Sequence, residues 1–306
     1  MSLPPYASPL ERAWYYSFRT ACALIFLFLI SPILVIIPLS FNAEPYFTFT
    51  DKMLSFDTEG FSTRWYDLLL TFGMLEPEAP RDSSWWADAW ANAQWIQATK
   101  NSIIIGFFST ILATTLGTIA ALGLSRPEMP GRRAVMAILI SPMIVPIIIT
   151  ATGLFFFYSS IGIQDWGIPY LGIILAHATL GIPFVIITVT ATLVGFDHSL
   201  TRAAANMGAD PVTTFFKVQM PLILPGVISG ALFAFVTSFD EVVVVLFVGG
   251  LDEQTIPRQM WNGIREQISP AILSVATILV VISIALLTVV ELLRRRSEKL
   301  RGMSPG

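Results

Sequence analysis

Apolar residues gather into six long runs, 21–39, 101–125, 134–158, 168–194, 222–248 and 271–293, each bounded by polar or charged positions. At about 1.5 Å per residue, every run is long enough to cross a hydrocarbon core of about 30 Å. The pattern predicts an all-α integral membrane protein with six transmembrane helices. The first run exceeds the roughly 7 to 15 residues of a secretory h-region and is not followed by a small-residue cleavage pattern, so it reads as a retained anchor.

Breaks within the runs add detail. The second carries Gly106, Gly117 and Gly123 among Ala and Thr, a small-residue surface that allows close helix packing in lipid. The third is interrupted by Pro142, Pro146 and Gly153, and such breaks persist where protein or a water-filled cavity satisfies the freed backbone groups. His177 and Pro183 lie in the fourth, where the histidine reads either as a hydrogen-bond partner for a neighbouring helix or as a group on the substrate path.

The polar stretches divide the chain into an N-terminus with helix one (1–40), a large loop (41–100), a core of helices two to six (101–293) with a long loop at 196–221, and a basic tail (294–306). The 41–100 loop holds nine acids against Lys52, Arg64, Arg81 and Lys100. Its tryptophans, Trp65, Trp85, Trp86, Trp90 and Trp95, fit an interfacial belt or a surface that docks a partner. Ser83 or Ser84 is a candidate cap for a short helix that would put Trp86 and Trp90 on one face.

Composition agrees with the pattern: 54% of the 306 residues are hydrophobic, 13% are charged, and mean hydropathy is +0.70. The net charge of -3 matters less than its segregation. With both termini inside, Arg12, Arg19, Arg126, Arg132, Arg133, Arg202, Lys217, Arg294, Arg295, Arg296, Lys299 and Arg301 fall on the cytoplasmic side, twelve against six outside, as the positive-inside rule requires. The single cysteine, Cys22, excludes an intramolecular disulfide. The only histidines are His177 and His198, and no H-E-x-x-H, G-x-S-x-G, C-x-x-C or P-loop pattern occurs. No catalytic or metal-ligating residue and no cofactor is therefore expected in this chain, and any ATP is handled by a separate subunit.

The most informative polar stretch separates runs four and five: LVGFDHSLTRAAANMGADPVTTFFKVQMP, from Leu193 to Pro221. Ser199 or Thr201 is a candidate cap for a helix that ends at Gly208, and Pro211 opens a second segment carrying Phe215 and Phe216. Such an exposed two-piece element suits the groove of another protein. The order Arg202-Ala203-Ala204, three residues, Gly208, nine residues, Val218-Gln219-Met220-Pro221 resembles the coupling ("EAA") loop of type I ABC importer permeases, E-A-A-x3-G-x9-I-x-L-P. Arg202 stands where that pattern has glutamate, and Val218 and Met220 replace isoleucine and leucine. The resemblance implies that Arg202, Ala203, Ala204, Gly208, Val218 and Pro221 belong to an ATPase-coupling element, with ATP and Mg bound by partner subunits. Against the same family, residues 76–88 look like an addition to a usually short loop.

In run five, Asp240 and Glu241 are adjacent carboxylates in an apolar stretch, which costs about 2.5 to 3.5 kcal/mol for an acid at the centre of a helix. On a continuous helix the two would point about 100° apart, one toward a pathway and one toward a neighbour, with Asp240 the preferred pathway residue. A solvated helix end or an interhelical hydrogen bond is the plainer alternative. SFDEVVVVLFVGG is similar to the Ser-x-Asp-Asp/Glu-Val-Val-Val stretch of spermidine/putrescine-type permeases, over roughly residues 101–293. That resemblance implies a substrate path lined by Ser238, Asp240 and Glu241, which suits a small cationic amine. Where the polyamine pattern often has an acid after Ser-Pro in helix three, this chain has Ser141-Pro142-Met143, so an opine, amino acid or phosphonate is the alternative solute. The family further implies a second permease subunit, two ATPase subunits, a periplasmic solute-binding protein and a bacterial inner membrane, with no nucleic acid involved. A secondary transporter using Asp240 and His177 as proton carriers is the distant alternative; the inverted repeats and broken midplane helices usual in such folds are not evident.

Overall fold

A computed structural model describes residue 6 and residues 8–126, 128–197, 199–266 and 269–300. In chain order the α-helices are α1 (Pro9–Leu39), α2 (Asp51–Leu54), α3 (Arg64–Thr71), α4 (Ser83–Asn92), α5 (Gln94–Leu124), α6 (Arg132–Ile144), α7 (Ile147–Ile161), α8 (Leu171–Val194), α9 (Ser199–Asn206), α10 (Pro211–Thr214), α11 (Met220–Phe239), α12 (Val243–Val248), α13 (Ile256–Glu266) and α14 (Ala271–Leu300). Extended pairing among the described residues is limited to an isolated bridge between Asn42 and Phe61. His198 and residues 301–306 of the expected basic tail lie outside the described residues; residues 294–300 continue α14.

Helices α1, α5, α8 and the run Pro211–Phe239 are each long and apolar enough to cross a membrane. The third predicted span is not a single rod: α6 and α7 meet at 101°. Val145 is extended there (φ -69°, ψ 134°), the conformation that a following proline imposes, and Pro146 has no amide to donate. Gly153, also read as a break, lies within an uninterrupted α7. The sixth predicted span falls on α14, whose described apolar part is Ala271–Ala285.

The chain divides into two compact units, Met1–Pro77 with Gly263–Gly306, and Glu78–Asn262. Within the first unit α14 packs with α1 and α3. In this first unit α1 begins in a capping box, Glu11 N–H donating to Ser8 Oγ and Ser8 N–H to Glu11 Oε2. The Ser274 hydroxyl on α14 donates to the Ser40 carbonyl, and the Trp65 indole donates to the Asn42 carbonyl at 2.7 Å. Trp65 is therefore a buried structural anchor and not part of an exposed belt.

In the second unit α5, α8 and α11 pack on one another. Between helices in lipid there is little hydrophobic driving force, so association rests on close approach. Gly117 supplies it: a Cβ there would lie 2.7 Å from Val185 Cβ on α8. Gly106 meets the Phe235 ring of α11, whereas Gly123 has nothing within 4 Å and takes no part in this surface. Helix α12 is buried on a cluster formed with α7 and α8, in which Val244 and Val245 are fully enclosed alongside Ala151, Tyr158 and Ile173.

Helix α4 also belongs here. Its cap is Asp82, not Ser83 or Ser84: the carboxylate accepts from the Ser84 and Trp85 amides and the Ser84 hydroxyl. Trp85 and Trp95 are buried in the unit, and only Trp86 and Trp90, one helical turn apart, are exposed. Three of the five loop tryptophans, Trp65 included, thus hold the fold together.

Candidate functional site

The 196–221 segment folds as two short helices and a wide turn. The first helix, α9, contains Ser199 and Thr201 within it, and the Asp197 carboxylate ahead of it accepts from the Ser199 amide at 2.8 Å and the Ser199 hydroxyl at 2.7 Å. It ends in a Schellman arrangement: Ala209 N–H donates to Ala204 C=O and Gly208 N–H to Ala205 C=O, with Gly208 at φ +84°. Asp210 then caps α10 by accepting from the Thr213 amide, with Pro211 in the first turn where its missing N–H costs nothing. Residues Phe215–Gln219 form a π turn that runs without interruption into α11. Pro221 accordingly sits at the start of α11.

This element presents Leu200, Met207, Val212 and Phe216 as exposed apolar side chains beside exposed Arg202 and Lys217. Ala203 and Pro221 are exposed, and Ala204 and Val218 are half-buried. Phe215, expected at the surface with Phe216, turns inward and lines a cavity of about 840 Å³ together with Arg126, Glu128 and Arg202. Apolar and cationic groups on one short element form the kind of surface that a protein partner covers.

The acidic pair occupies a different structural context from the continuous helix expected for run five. Helix α11 stops at Phe239 with Asp240 as its C-cap, and α12 starts only at Val243. Glu241 lies in the break, where its buried carboxylate accepts from the Val244 amide at 2.9 Å and so caps α12. Ser238, in the last turn of α11, is buried and hydrogen-bonded to Nδ1 of His177 on α8 at 2.8 Å. The His177 ring is 1% exposed, and its Nε2 has no partner among the described residues. Asp240 is exposed, and its carboxylate makes no hydrogen bond or ion pair among the described residues. The three expected pathway residues therefore part company: Ser238 and Glu241 hold the break in shape, and Asp240 is left available.

Sequence reasoning missed the break, because Val242–Val248 reads as continuous apolar helix. It also missed the polar cluster at the far end of α5, where Asn101 donates to the Asp252 and Gln254 carbonyls and accepts from the Tyr170 hydroxyl at 2.7 Å. The available signal was an asparagine at the very start of an apolar run.

Residues 113–300, which include the 196–221 element and the α11–α12 break, match the family described as binding-protein-dependent transport system inner membrane components. The chain belongs to this family. As a member, it is 31% identical over 274 residues to the spermidine/putrescine transport system permease protein PotC of Haemophilus influenzae, spanning 90% of this chain and 95% of that one. It is 30% identical over 259 residues to the putrescine transport system permease protein PotI of Escherichia coli, spanning 83% and 82% respectively. Its fold is similar, at a TM-score of 0.68 and 16% identity, to a chain in the crystal structure of a bacterial ABC transporter involved in the import of the acidic polysaccharide alginate, covering 94% of this chain and 99% of that one. The architecture is that of type I ABC importer permeases, and the protein is a multi-pass inner-membrane transport component.

Proposed function

We propose that this permease forms half of the translocation pathway of an importer for a small cationic amine of the putrescine or spermidine class. The observation that carries the reading is Asp240, an exposed carboxylate, unpaired among the described residues, at a break between two apolar helical segments. An ammonium stripped of water needs an opposite charge and hydrogen-bond acceptors nearby. A C-cap carboxylate flanked by the free carbonyls of a helix end supplies both. The names of the relatives point to the same solute class.

Both termini and the 196–221 element lie on the cytoplasmic side in this reading, in keeping with the distribution of basic residues. Two ATPase subunits, which bind ATP and Mg, engage Arg202, Ala203, Ala204 and Gly208 and the exposed Phe216. A second permease completes the path, and a periplasmic binding protein delivers solute to the opposite face. ATP-driven closure of the ATPases pushes on α9 and α10, and the continuous helical run from Pro211 to Phe239 carries that displacement to the break at Asp240. Closure must favour one state of the bundle energetically for this to work.

The test is ATP-dependent uptake of labelled putrescine and spermidine into proteoliposomes holding the assembled importer. Uptake that falls at least tenfold in Asp240→Asn, with assembly and ATPase activity retained, is the expected result. An assembled complex that moves no polyamine would overturn the solute and direct attention to opines, amino acids or phosphonates.

A further inference from the structure

At the end of the second unit remote from α9 lies a cavity of about 480 Å³ between the α4–α5 junction, Tyr170 and the 251–254 turn. Its polar lining has a marked bias. Asn92 donates to the Asp88 carboxylate, Gln97 to the Trp90 and Ala91 carbonyls, and Gln259 to Gln94 Oε1. Asn101 has both amide hydrogens engaged by backbone carbonyls, and the Tyr170 hydroxyl donates to Asn101 Oδ1. Gln94 and Gln254 alone among these carboxamides donate to no partner among the described residues. What the lining leaves over is the amide donors of Gln94 and Gln254 and, on the acceptor side, the carboxamide oxygens of Asn92, Gln97 and Gln259 and the Asp252 carboxylate, the one charged group among the lining residues.

Asp252 is exposed and has no ion-pair partner among the described residues. Arg258 donates to the Gly249 and Gly250 carbonyls, and its charge acts on Glu253 rather than on Asp252. Glu253, outside the lining of this cleft, is held by the Tyr170 and Gly250 amides. Next to the lining residues Ala91 and Gln97 an alkylammonium is already held: Lys100 Nζ sits 4.7 Å from the centre of the Trp90 ring and donates to the same Trp90 carbonyl that Gln97 uses.

We infer that this cleft is a binding site for a protonated primary amine. An anion would meet the unpaired Asp252 carboxylate, and a neutral polyol, to which the Gln94 and Gln254 amides could donate, would leave that charge uncompensated. An alkylammonium brings three donors and no acceptor, which is the complement of the lining. The amine is either free solute waiting at the outer end of the path or a lysine side chain of the docked binding protein. The free-solute source rests on the amine-importer reading above; the chemistry of the cleft does not.

The test uses the purified importer, permeases with ATPases, in nanodiscs, and two assays: equilibrium binding of labelled 1,4-diaminobutane without the binding protein, and affinity of the immobilised binding protein for the complex. Asp252→Asn is compared with Asp165→Asn, a carboxylate outside the cleft, and with Gln97→Lys, which places a tethered ammonium in it; ATPase activity monitors folding. Diamine binding weakened at least tenfold by D252N and abolished by Q97K, with D165N within twofold of the native protein, supports the free-amine site. No diamine binding, but binding-protein affinity lowered at least tenfold by D252N and not by D165N, supports the lysine source. Both assays unmoved by D252N overturn the cleft, while polyamine uptake by the native complex would leave the importer reading standing. Absence of polyamine uptake with D252N still weakening docking would sink that reading and keep the cleft.

Discussion

His177 Nδ1 and Ser238 Oγ lie 2.8 Å apart in the buried contact between α8 and the last turn of α11, two residues before the helix stops at Asp240. The bond ties the start of the break to the bundle. Removing the hydroxyl leaves a ring nitrogen buried without a partner, at a cost of about 1–3 kcal/mol. Ser238→Ala should therefore lower the thermal midpoint of the purified permease, while Ser238→Thr, which keeps the hydroxyl, should restore most of it. Equal midpoints for native and S238A proteins would dismiss the contact as incidental.

The two adjacent acids should separate by assay. Glu241 accepts from the Val244 amide, so Glu241→Gln, which retains an acceptor oxygen, should fold nearly as well as the native chain; Glu241→Ala should lose about 1 kcal/mol or more through the lost cap. Asp240→Asn should leave stability unchanged and reduce uptake. Thermal melts run beside uptake on the three variants decide the matter, and a melt lowered by D240N alone would reverse the assignment.

Two glycines on one helix make opposite predictions. An added methyl at Gly117 meets Val185 Cβ at 2.7 Å, whereas at Gly123 it meets nothing within 4 Å. Gly117→Ala should destabilise by about 1–3 kcal/mol by forcing α5 and α8 apart. Gly123→Ala should be neutral or slightly stabilising, since it only restricts the unfolded chain. Detergent-denaturation midpoints of the pair provide the comparison.

Gly208 holds φ +84° in open space, so substitution there is penalised by backbone conformation and not by a clash. Gly208→Ala should cost about 1–2 kcal/mol locally, and Gly208→Asn noticeably less, because asparagine tolerates the left-handed region. If this turn transmits the ATPase stroke, solute moved per ATP hydrolysed should fall in the order native, G208N, G208A.

The cap on α10 carries a pH signature. Hydrogen bonds from the Thr213 hydroxyl and then its amide hold the Asp210 carboxyl below the usual aspartate range. A carboxyl depressed in the folded state stabilises above the pKa of the unfolded chain and loses that contribution as pH falls through the folded value. Amide exchange at Thr213 should thus show protection at neutral pH that declines only below the normal aspartate pKa, and Asp210→Ala should abolish that dependence. Protection independent of pH in the native protein would refute the cap as its source.

The element at 196–221 and the apolar runs are legible in the sequence because their determinants are local. Six apolar runs must be helical in lipid, where unpaired backbone groups find no water, and Gly208 and Pro211 punctuate the loop through their own backbone geometry. Caps were less legible: Asp82 and Asp197 accept the amides for which Ser83 or Ser84 and Ser199 or Thr201 were the candidates, since which short polar side chain accepts the free amide depends on the path by which the chain enters the helix.

Sequence by itself determined that this is an all-helical membrane permease with a polar two-helix element at 196–221, for hydropathy and spacing are properties of the chain taken locally. Only the tertiary structure decided how the acidic pair divides. Val242–Val248 has every local reason to continue α11, yet the chain breaks so that Val244 and Val245 can enter the cluster on α7 and α8. Glu241 then turns inward to cap the new helix, and Asp240 is left at the exposed end of the old one. The partners that compel this arrangement, His177 and Ile173 on α8 and Ala151 and Tyr158 on α7, are distant in sequence and reach the break only when the bundle closes around it.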